Sequence, residues 1–249
     1  MAFPENHIVE LKSVDSTNSY SERLLKEKEV QEGTAIWAHE QSAGKGQGKN
    51  TWLSEPYKNL TFSLILHPRF LPIDQQFYLN KVVSLGILDF IKMISLEKEF
   101  RIKWPNDIYF KYSKLGGVLI NVTISGSLLE TAIIGIGINI NQTRFDTQLP
   151  NPVSLRQITN IDFDLKEVLN KLINQLYKRY EMLKNGMKDE LDEEYKSNLL
   201  GIQVLRNYNT DKGSVEGIII GVDSFGRLIL KTGNGTEMIF AHKEIEYIF

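Results

Sequence analysis

Cysteine is absent from the 249 residues of this chain. Disulfide bonds, thiolate metal sites and thiol catalysis are therefore excluded. Histidine is scarce as well, and its few positions lie far apart, without the spacing of a metal-ligand set. The four histidines are His7, His39, His67 and His242. We expect them to be ordinary surface or core residues, and we expect no metal ion to be held by the protein's own side chains.

Long apolar runs and a strong charge of one sign are also missing. No segment approaches the roughly 18 consecutive apolar residues of a membrane-spanning helix, and no signal peptide opens the chain. The formal net charge of −2 lacks the basic excess that nucleic-acid-binding surfaces carry. These features predict a soluble, cytoplasmic protein that binds neither nucleic acid nor membranes.

The most informative polar cluster is the segment Lys103-Trp104-Pro105-Asn106-Asp107, which precedes Lys114 and a pair of glycines. Proline fixes its own φ, while asparagine and aspartate favour turns, so the segment predicts a polar turn between two strands. The glycine pair would let backbone approach a ligand where the next strand starts. An acid, an amide and two ammonium groups suit the binding of a phosphate-bearing intermediate. A solvated surface turn is the alternative that turn statistics alone favour.

A second unusual segment, residues 40–52, is rich in glycine and lysine. Glycines at alternate positions from 44 to 48 give a flexible loop whose amides are open to an anion, and Lys45 and Lys49 add positive charge. The spacing matches neither the Walker phosphate loop nor the dinucleotide-binding fingerprint. On residue types alone, a flexible linker with incidental lysines remains open.

The order of these segments carries a resemblance. Ser16-Thr17-Asn18 comes first, then the glycine-rich loop ending at Trp52, the Lys-Trp-Pro-Asn-Asp turn, Lys114, and Gly135-Ile136-Gly137-Ile138-Asn139. This set closely resembles the biotin–protein ligase family from about Val14 to the C-terminus. The Lys-Trp-Pro-Asn-Asp and Gly-Ile-Gly-Ile-Asn elements are specific to that family, whereas Ser-Thr-Asn alone would be weak.

Hydrophobic periodicity predicts the elements of a larger first part. Alternation predicts a half-buried strand over 60–66 and another over 118–124, and a continuous apolar run over 131–140 predicts a central strand. Apolar residues at helical spacing predict helices over 79–94 and 165–180, with a capping box formed by Asp164 and Glu167. Residues 187–199 form an acidic, helical connector.

The pattern changes from about Leu200 to short strands separated by turns. The segments 202–206, 214–222, 227–231 and 237–240 predict a small all-β barrel. The resemblance implies an SH3-like C-terminal domain over 199–249. It also implies an α/β (α+β) catalytic domain over 1–198, a mixed sheet with packed helices of the class II aminoacyl-tRNA synthetase/biotin ligase type.

The family's reaction implies what the site must do. Biotin's carboxylate attacks the α-phosphate of ATP to give biotinyl-5′-AMP and pyrophosphate, and a lysine of a biotin carboxyl carrier domain then takes the biotinyl group. ATP and biotin are the implied substrates, with Mg²⁺ held mainly by phosphates and waters. The implied partner is a carrier domain of a biotin-dependent carboxylase. Whether the protein is a monomer or a homodimer is left open.

The resemblance assigns residues to three roles. The catalytic group is Lys114, Asp107 and Lys45. The biotin-binding group is Ser16, Thr17, Asn18, Gln41, Gly44, Lys45, Gly46, Gln47, Lys114, Gly117, Leu119 and Gly135. The group that binds ATP or the adenylate is Gln47, Lys49, Asn50, Trp52, Asn106, Lys114 and Asn139. Helix N-capping is the alternative role of residues 16–18, and a core tryptophan is the alternative for Trp52.

Three positions of the glycine-rich loop depart from the family pattern. Lys45, Gln47 and Asn50 stand where arginine is usual or frequent, and lysine lacks the bidentate fork of arginine. We hypothesise that the adenylate is held less tightly here, with Lys49 compensating in part. Because only a short leader precedes Ser16, we also expect a ligase without a DNA-binding domain. The alternatives are a lipoate–protein ligase and a catalytically inactive biotin or nucleotide sensor.

Overall fold

The computed structural model describes residues 7–248, which form twelve strands, five α-helices and one short 3-10 helix. No described helix is both long and apolar enough to cross a lipid bilayer. The elements of the first part are β1 (Ile8–Leu11), α1 (Thr17–Glu27), β2 (Ala35–Ala38), β3 (Leu60–Leu66), α2 (Phe77–Ile94), β4 (Phe100–Lys103), β5 (Asp107–Phe110), β6 (Ser113–Ser125), β7 (Leu128–Ile138), α3 (Leu155–Thr159), α4 (Leu165–Lys184) and α5 (Lys188–Ser197). The C-terminal elements are β8 (Leu205–Thr210), β9 (Gly213–Val222), β10 (Leu228–Thr232), β11 (Glu237–Phe240) and β12 (Ile245–Tyr247).

A seven-stranded sheet organises the first part, in the order β1-β2-β3-β7-β6-β5-β4. Its strands pair antiparallel except for β1 and β2, which run parallel, so the sheet is mixed as predicted. The apolar run at 131–140 supplies β7, which takes the middle position. The predicted central strand is therefore confirmed.

Helices cover both faces of this sheet. On one face α2 packs against β4, β5 and β6 and is itself covered by α4, and α1 packs against β2, β3 and β7 on the other face. Every residue of β3 is consequently buried, and the expectation of a half-buried strand was wrong. The alternation of apolar with polar or small residues correctly indicated the face of β3 on which Phe62 and Leu64 join the main core. It could not report α1, which covers the opposite face and packs over Ile65.

The close approach of α2 and α4 depends on one glycine. A β-carbon at Gly86 would lie 2.9 Å from Leu176 Cδ2 and 3.1 Å from Leu176 Cα. Behind this crossing, Arg179 of α4 is within hydrogen-bond distance of Asp89 on α2 and Glu194 on α5. The three helices are thus joined by packing and by a partly buried ion-pair cluster.

The ends of the long helices correct one expectation. Asp164 caps α4 by accepting a hydrogen bond from the Glu167 backbone N–H at 2.8 Å. The reciprocal side-chain bond is not among those found in residues 7–248, because the Glu167 carboxylate pairs with Lys171 at 2.6 Å. The complete capping box lies instead at α3, between Ser154 and Gln157.

The C-terminal residues form a separate five-stranded antiparallel sheet, in the order β11-β10-β9-β8-β12. The first predicted strand there is shifted, because Ile202 makes only an isolated bridge to Ile219 and β8 begins at Leu205. The short strand β12 was not predicted. Within the described residues the edge strands β11 and β12 are not paired with each other, and the SH3-like closure stays a prediction.

Two hydrogen bonds join this sheet and α5 to the hairpin between β4 and β5. The Trp104 indole N–H donates to the Gly226 carbonyl at 2.8 Å, and the Tyr195 hydroxyl donates to the Pro105 carbonyl at 2.6 Å. Trp104 and Tyr195 are both buried. These bonds to α5 and to the C-terminal part hold in place the polar turn predicted from the Lys-Trp-Pro-Asn-Asp segment.

Candidate active site

Small residues on three neighbouring strands form the floor of a cavity of about 500 Å³. This volume lies in the range of small-molecule sites. The residues lie in two cross-strand rows, which are Ser63-Gly135-Leu119 and Thr61-Gly137-Gly117. Because these rows carry little side-chain bulk, α1 and the glycine-rich loop can lie directly over the sheet.

Two of the floor glycines have no room for a side chain. A β-carbon at Gly135 would overlap the Asn18 amide, and one at Gly137 would overlap the Trp52 indole. Their sequence signal, the Gly-Ile-Gly-Ile-Asn element, thus has a steric cause. Trp52 lies along the floor, with its ring centroid 6.0 Å from Lys114 Nζ. Its indole N–H is buried and has no hydrogen-bond partner among residues 7–248.

The N-terminus of α1 forms a buried polar wall. The Thr17 backbone N–H donates to Gln41 Oε1 at 2.8 Å. Ser63 Oγ lies 2.8 Å from Thr17 Oγ1 and 2.6 Å from Asn18 Oδ1. Ser16 is the N-cap residue, yet its side chain makes no capping bond. The capping alternative is therefore wrong for Ser16, and hydroxyl and amide groups face the cavity from this wall.

The glycine-rich loop folds back on itself over the cavity. The Gly46 N–H donates to the Asn50 carbonyl at 2.8 Å, and the Trp52 N–H donates to the Gly44 carbonyl at 2.9 Å. These bonds make a narrow hairpin that has Gly48, at φ +67°, near its tip. Lys45, Gln47 and Asn50 line the cavity from this hairpin.

The hairpin between β4 and β5 brings an acid and a base together. Asp107 Oδ2 lies 2.7 Å from Lys114 Nζ, and the side chains remain 25% and 30% exposed. The Asn106 amide donates to the Val118 carbonyl at 3.0 Å, which ties the hairpin to β6. Gly117 borders the ion pair, since a β-carbon there would lie 2.9 Å from Asp107 Oδ1. The predicted pair is thus held in place and remains accessible to a ligand.

Burial shifts the pKa values of two further side chains beside this pair, Lys103 and His242. Lys103 Nζ lies 5.3 Å from the Tyr247 ring centroid and 5.7 Å from that of Tyr109. Burial lowers the pKa of Lys103, nearby Lys114 lowers it further, and Asp107 opposes this shift. Burial also lowers the pKa of His242. A less solvated cation interacts more strongly with a bound anion.

Most of the predicted site residues line this one cavity. Those that line it are Ser16, Thr17, Asn18, Gln41, Lys45, Gly46, Gln47, Asn50, Trp52, Asn106, Asp107, Lys114, Gly117, Leu119 and Gly135. Gly44, Lys49 and Asn139 do not. Gly44 packs against the Trp52 backbone, and the Asn139 amide donates to the Val153 carbonyl at 3.1 Å, below the floor.

The C-terminal sheet contributes residues that sequence reasoning missed. His242, Lys243, Glu246 and Tyr247 all line the cavity. Their sequence carried no motif, and His242 was expected to be an ordinary residue. The cavity is thus lined by four lysines (Lys45, Lys103, Lys114 and Lys243) and two carboxylates (Asp107 and Glu246). This excess of positive charge suits a polyanionic ligand.

Family models match both parts of the chain. The model described as "Biotin/lipoate A/B protein ligase family" matches residues 10–139, which is just over half of the 249 residues. The chain belongs to this family. The model described as "Biotin protein ligase C terminal domain" matches residues 200–245. The family suggested by the order of the sequence motifs is thereby confirmed.

Individual relatives agree with this assignment. The chain is 28% identical over 238 residues to the bifunctional ligase/repressor BirA of Bacillus spizizenii, covering 94% of this chain and 72% of that protein. It is 26% identical over 237 residues to the biotin–[acetyl-CoA-carboxylase] ligase of Paracoccus denitrificans, covering 92% of this chain and 96% of that one. Against the bifunctional proteins of Bacillus subtilis and Escherichia coli, it spans 65% and 67% of their length.

The fold is also found in solved structures of this family. The biotin protein ligase of Aquifex aeolicus, in complex with biotin and ATP, superposes with a TM-score of 0.81. It is 29% identical in sequence, and the match covers 97% of this chain and 98% of that one. The predicted mixed α/β architecture of the biotin ligase type is thus confirmed.

Proposed function

We propose that this ligase joins biotin to a lysine of a biotin carboxyl carrier domain, using ATP and passing through biotinyl-5′-AMP. The observation that carries the proposal is the Asp107–Lys114 ion pair at 2.7 Å, exposed to the same cavity as the polar wall of α1. Family membership supplies the reaction class.

In the first step, a carboxylate oxygen of biotin attacks the α-phosphorus of ATP. The bond from phosphorus to the bridging oxygen breaks, and pyrophosphate leaves. Two anions must be brought together, so fixed positive charge is the main requirement. Lys114 and Lys45 supply this charge from a strand and from the loop, and Lys114 is held in place by Asp107. We assign Lys114 to the oxygens that join biotin and the α-phosphate.

In the second step, the ε-amine of the acceptor lysine attacks the carbonyl carbon of the mixed anhydride. The bond between this carbon and the phosphate oxygen breaks, the nitrogen loses a proton, and AMP leaves. Asp107 is the carboxylate placed to orient this amine and accept its proton. Its neighbour Lys114 stabilises the negative charge that develops on the departing phosphate.

The two ends of biotin make different demands on the cavity. The ureido ring needs donors and acceptors, which Ser16, Thr17, Asn18 and Gln41 supply around the start of α1. The bicyclic ring and chain need a close, flat surface, which the floor of Gly135, Gly117 and Leu119 supplies. We assign the glycine-rich loop, including Gly44, Gly46 and Gln47, to cover the biotin carboxylate.

The nucleotide occupies the part of the cavity next to Trp52. Its indole offers a flat face, and its N–H has no partner within the described part of the chain. Gln47, Lys49 and Asn50 belong to the covering loop, and Asn106 to the opposite hairpin. Asn139 acts from below the floor, by holding the segment around Val153 against the end of β7.

The nucleotide is proposed to enter as its Mg²⁺ complex. Within residues 7–248 no three His, Cys, Asp or Glu side chains form a group that could hold a metal ion. Asp107 is already paired with Lys114. We assign the ion to the substrate, held by phosphates and waters, and none of the assigned steps is routed through a protein-bound metal.

The acceptor and the domain boundary complete the proposal. The acceptor is a biotin carboxyl carrier domain of a carboxylase, met in the cytoplasm. The catalytic domain comprises residues 1–198 and the C-terminal domain residues 199–249. The separate hydrogen-bonded sheets and the match to a C-terminal family model at 200–245 support this division.

Mass spectrometry of a carrier domain tests the proposal. The domain is incubated with the protein, MgATP and either biotin or lipoate, with ATP omitted from matched tubes. We expect a gain of one biotinyl group that requires both ATP and biotin. A gain only with lipoate would assign the chain to the other branch of its family. No gain in any tube, with biotin binding still seen by calorimetry, would identify a sensor.

A further inference from the structure

The turn that joins β11 to β12 holds a lysine in an unfavourable backbone conformation. The Glu244 N–H donates to the Ala241 carbonyl at 3.1 Å, and the Glu244 carboxylate accepts from the Ala241 N–H at 2.7 Å. Within this closed turn Lys243 has φ +74°. Turns with positive φ at their third residue strongly favour glycine or asparagine. A strained residue of this kind at the edge of a site points to a function of its side chain.

The side chain of Lys243 reaches the glycine-rich loop. A β-carbon at Gly48 would lie only 2.8 Å from Lys243 Nζ, so the ammonium group lies against the loop's tip. Lys243 also lines the active-site cavity. None of the ion pairs found among residues 7–248 includes it. Its charge is therefore available to a ligand that lies between the loop and the C-terminal sheet.

The turn itself is fixed relative to the catalytic hairpin. The His242 ring lies 5.9 Å, centroid to centroid, from the Trp104 ring, and the Trp104 indole N–H is bonded to the Gly226 carbonyl. Lys243 is thus placed opposite the loop by packing on both sides of the turn. A phosphate group bound between them would be contacted by the glycine-rich loop on one side and by Lys243 on the other.

We propose that Lys243 binds the β- and γ-phosphates of ATP and stabilises the pyrophosphate as it leaves. The inference rests on the proposed function. Of the loop residues that face the cavity only Lys45 is charged, and it is assigned with Lys114 to the α-phosphate, whereas Gln47 and Asn50 add no charge for the rest of the triphosphate. Lys114 lies beside Asp107 and Gly117, where the carboxylate and the α-phosphate react. Lys243 lies at the loop's tip, where the rest of the triphosphate would extend.

The test compares two biotinyl donors in wild type and in Lys243→Gly. Glycine suits the positive φ of this turn, so the variant keeps the fold and should not lower Tm. With biotin and ATP as substrates, we expect KM for ATP to be at least tenfold higher in Lys243→Gly than in wild type. A tenfold change corresponds to about 1.4 kcal/mol, as expected for the loss of a charge-assisted hydrogen bond. With synthetic biotinyl-5′-AMP, which has no β- or γ-phosphate, transfer to the carrier domain should be unchanged.

Two more variants complete the experiment. Lys243→Arg keeps the positive charge, so its KM for ATP should stay within a few-fold of the wild-type value. Lys212→Met removes an exposed lysine from a turn of the same sheet, away from the cavity, and should change neither reaction. An unchanged KM for ATP in Lys243→Gly, or an equal loss with both donors, would overturn the inference while leaving the proposed function intact. A wild-type protein that uses neither donor would overturn the proposed function, and this inference with it.

Discussion

We predict that Lys114→Met greatly lowers the rate of catalysis but has little effect on the stability of the protein. Lys114 and Asp107 form an ion pair whose side chains are 30% and 25% exposed. Pairs this accessible to water contribute about 0.2–1 kcal/mol to stability, so the free energy of unfolding should fall by no more than about 1 kcal/mol. A positive group aimed at developing charge is instead worth about 2.7–4 kcal/mol in the transition state, which corresponds to a loss of about 100- to 1000-fold in kcat.

The assay pairs ATP-dependent biotin transfer with urea unfolding, and the chain offers a matched control. Lys111 Nζ lies 3.1 Å from Glu99 Oε2, both side chains are more than half exposed, and neither residue lines the cavity. Lys111→Met should cost a similar amount of stability and leave transfer unchanged. The reasoning is refuted if Lys114→Met keeps more than a tenth of wild-type kcat, or if its lost activity merely follows a loss of folded protein.

Three further substitutions test the packing and charges that support the site. Gly135→Ala places a β-carbon in the amide of the first-turn asparagine of α1, and an overpacking cost of about 1–3 kcal/mol should weaken biotin binding by about tenfold or more, measured by calorimetry. Gly86→Ala gains about 1 kcal/mol of helix propensity but presses on Leu176 at a cost of about 1–3 kcal/mol, so we expect the free energy of unfolding in urea to fall by up to about 2 kcal/mol. Arg179→Met removes the partner of two carboxylates and should cost about 3 kcal/mol near neutral pH, less than for a fully buried pair because Glu194 remains 42% exposed. The hydrogen bond from Arg179 lowers the pKa of Glu194. Its contribution to stability is therefore present above the unfolded-state pKa of about 4.3 and is lost as pH falls through the folded-state pKa. The free energies of unfolding of wild type and variant should therefore converge in acid.

The sequence predicted many of the features that depend on local chemistry. The hairpin at 103–107 was predicted because proline, asparagine and aspartate favour a turn between strands, and α4 because its apolar residues recur at helical spacing. The order of the motifs identified the family before any contact was known. The hairpin and the helix are each encoded within about twenty consecutive residues, and each motif is a short local segment.

Features that depend on contacts between distant segments were not predictable in the same way. The burial of both faces of β3 depends on α1, more than thirty residues earlier in the chain. The contribution of His242 and Lys243 depends on where the second sheet docks, and no motif marks them. Asn139 illustrates the opposite case, because its amide bonds with the Val153 carbonyl and it lies outside the cavity lining. A motif thus indicates which residues matter more reliably than what each one touches.

The catalytic hairpin is the physical link between the two sheets. The segment that carries Asp107 towards Lys114 also donates from Trp104 to Gly226 and accepts from Tyr195, and all three bonds are within 2.8 Å. A shift of the C-terminal sheet would therefore move the hairpin, and with it the acid that orients the acceptor amine. Ångström-sized misplacement of such a group is enough to lower a rate by two orders of magnitude. It follows that C-terminal substitutions can reduce catalysis in two distinguishable ways: by removing charge, which spares transfer from a preformed adenylate, or by displacing the hairpin, which impairs both steps.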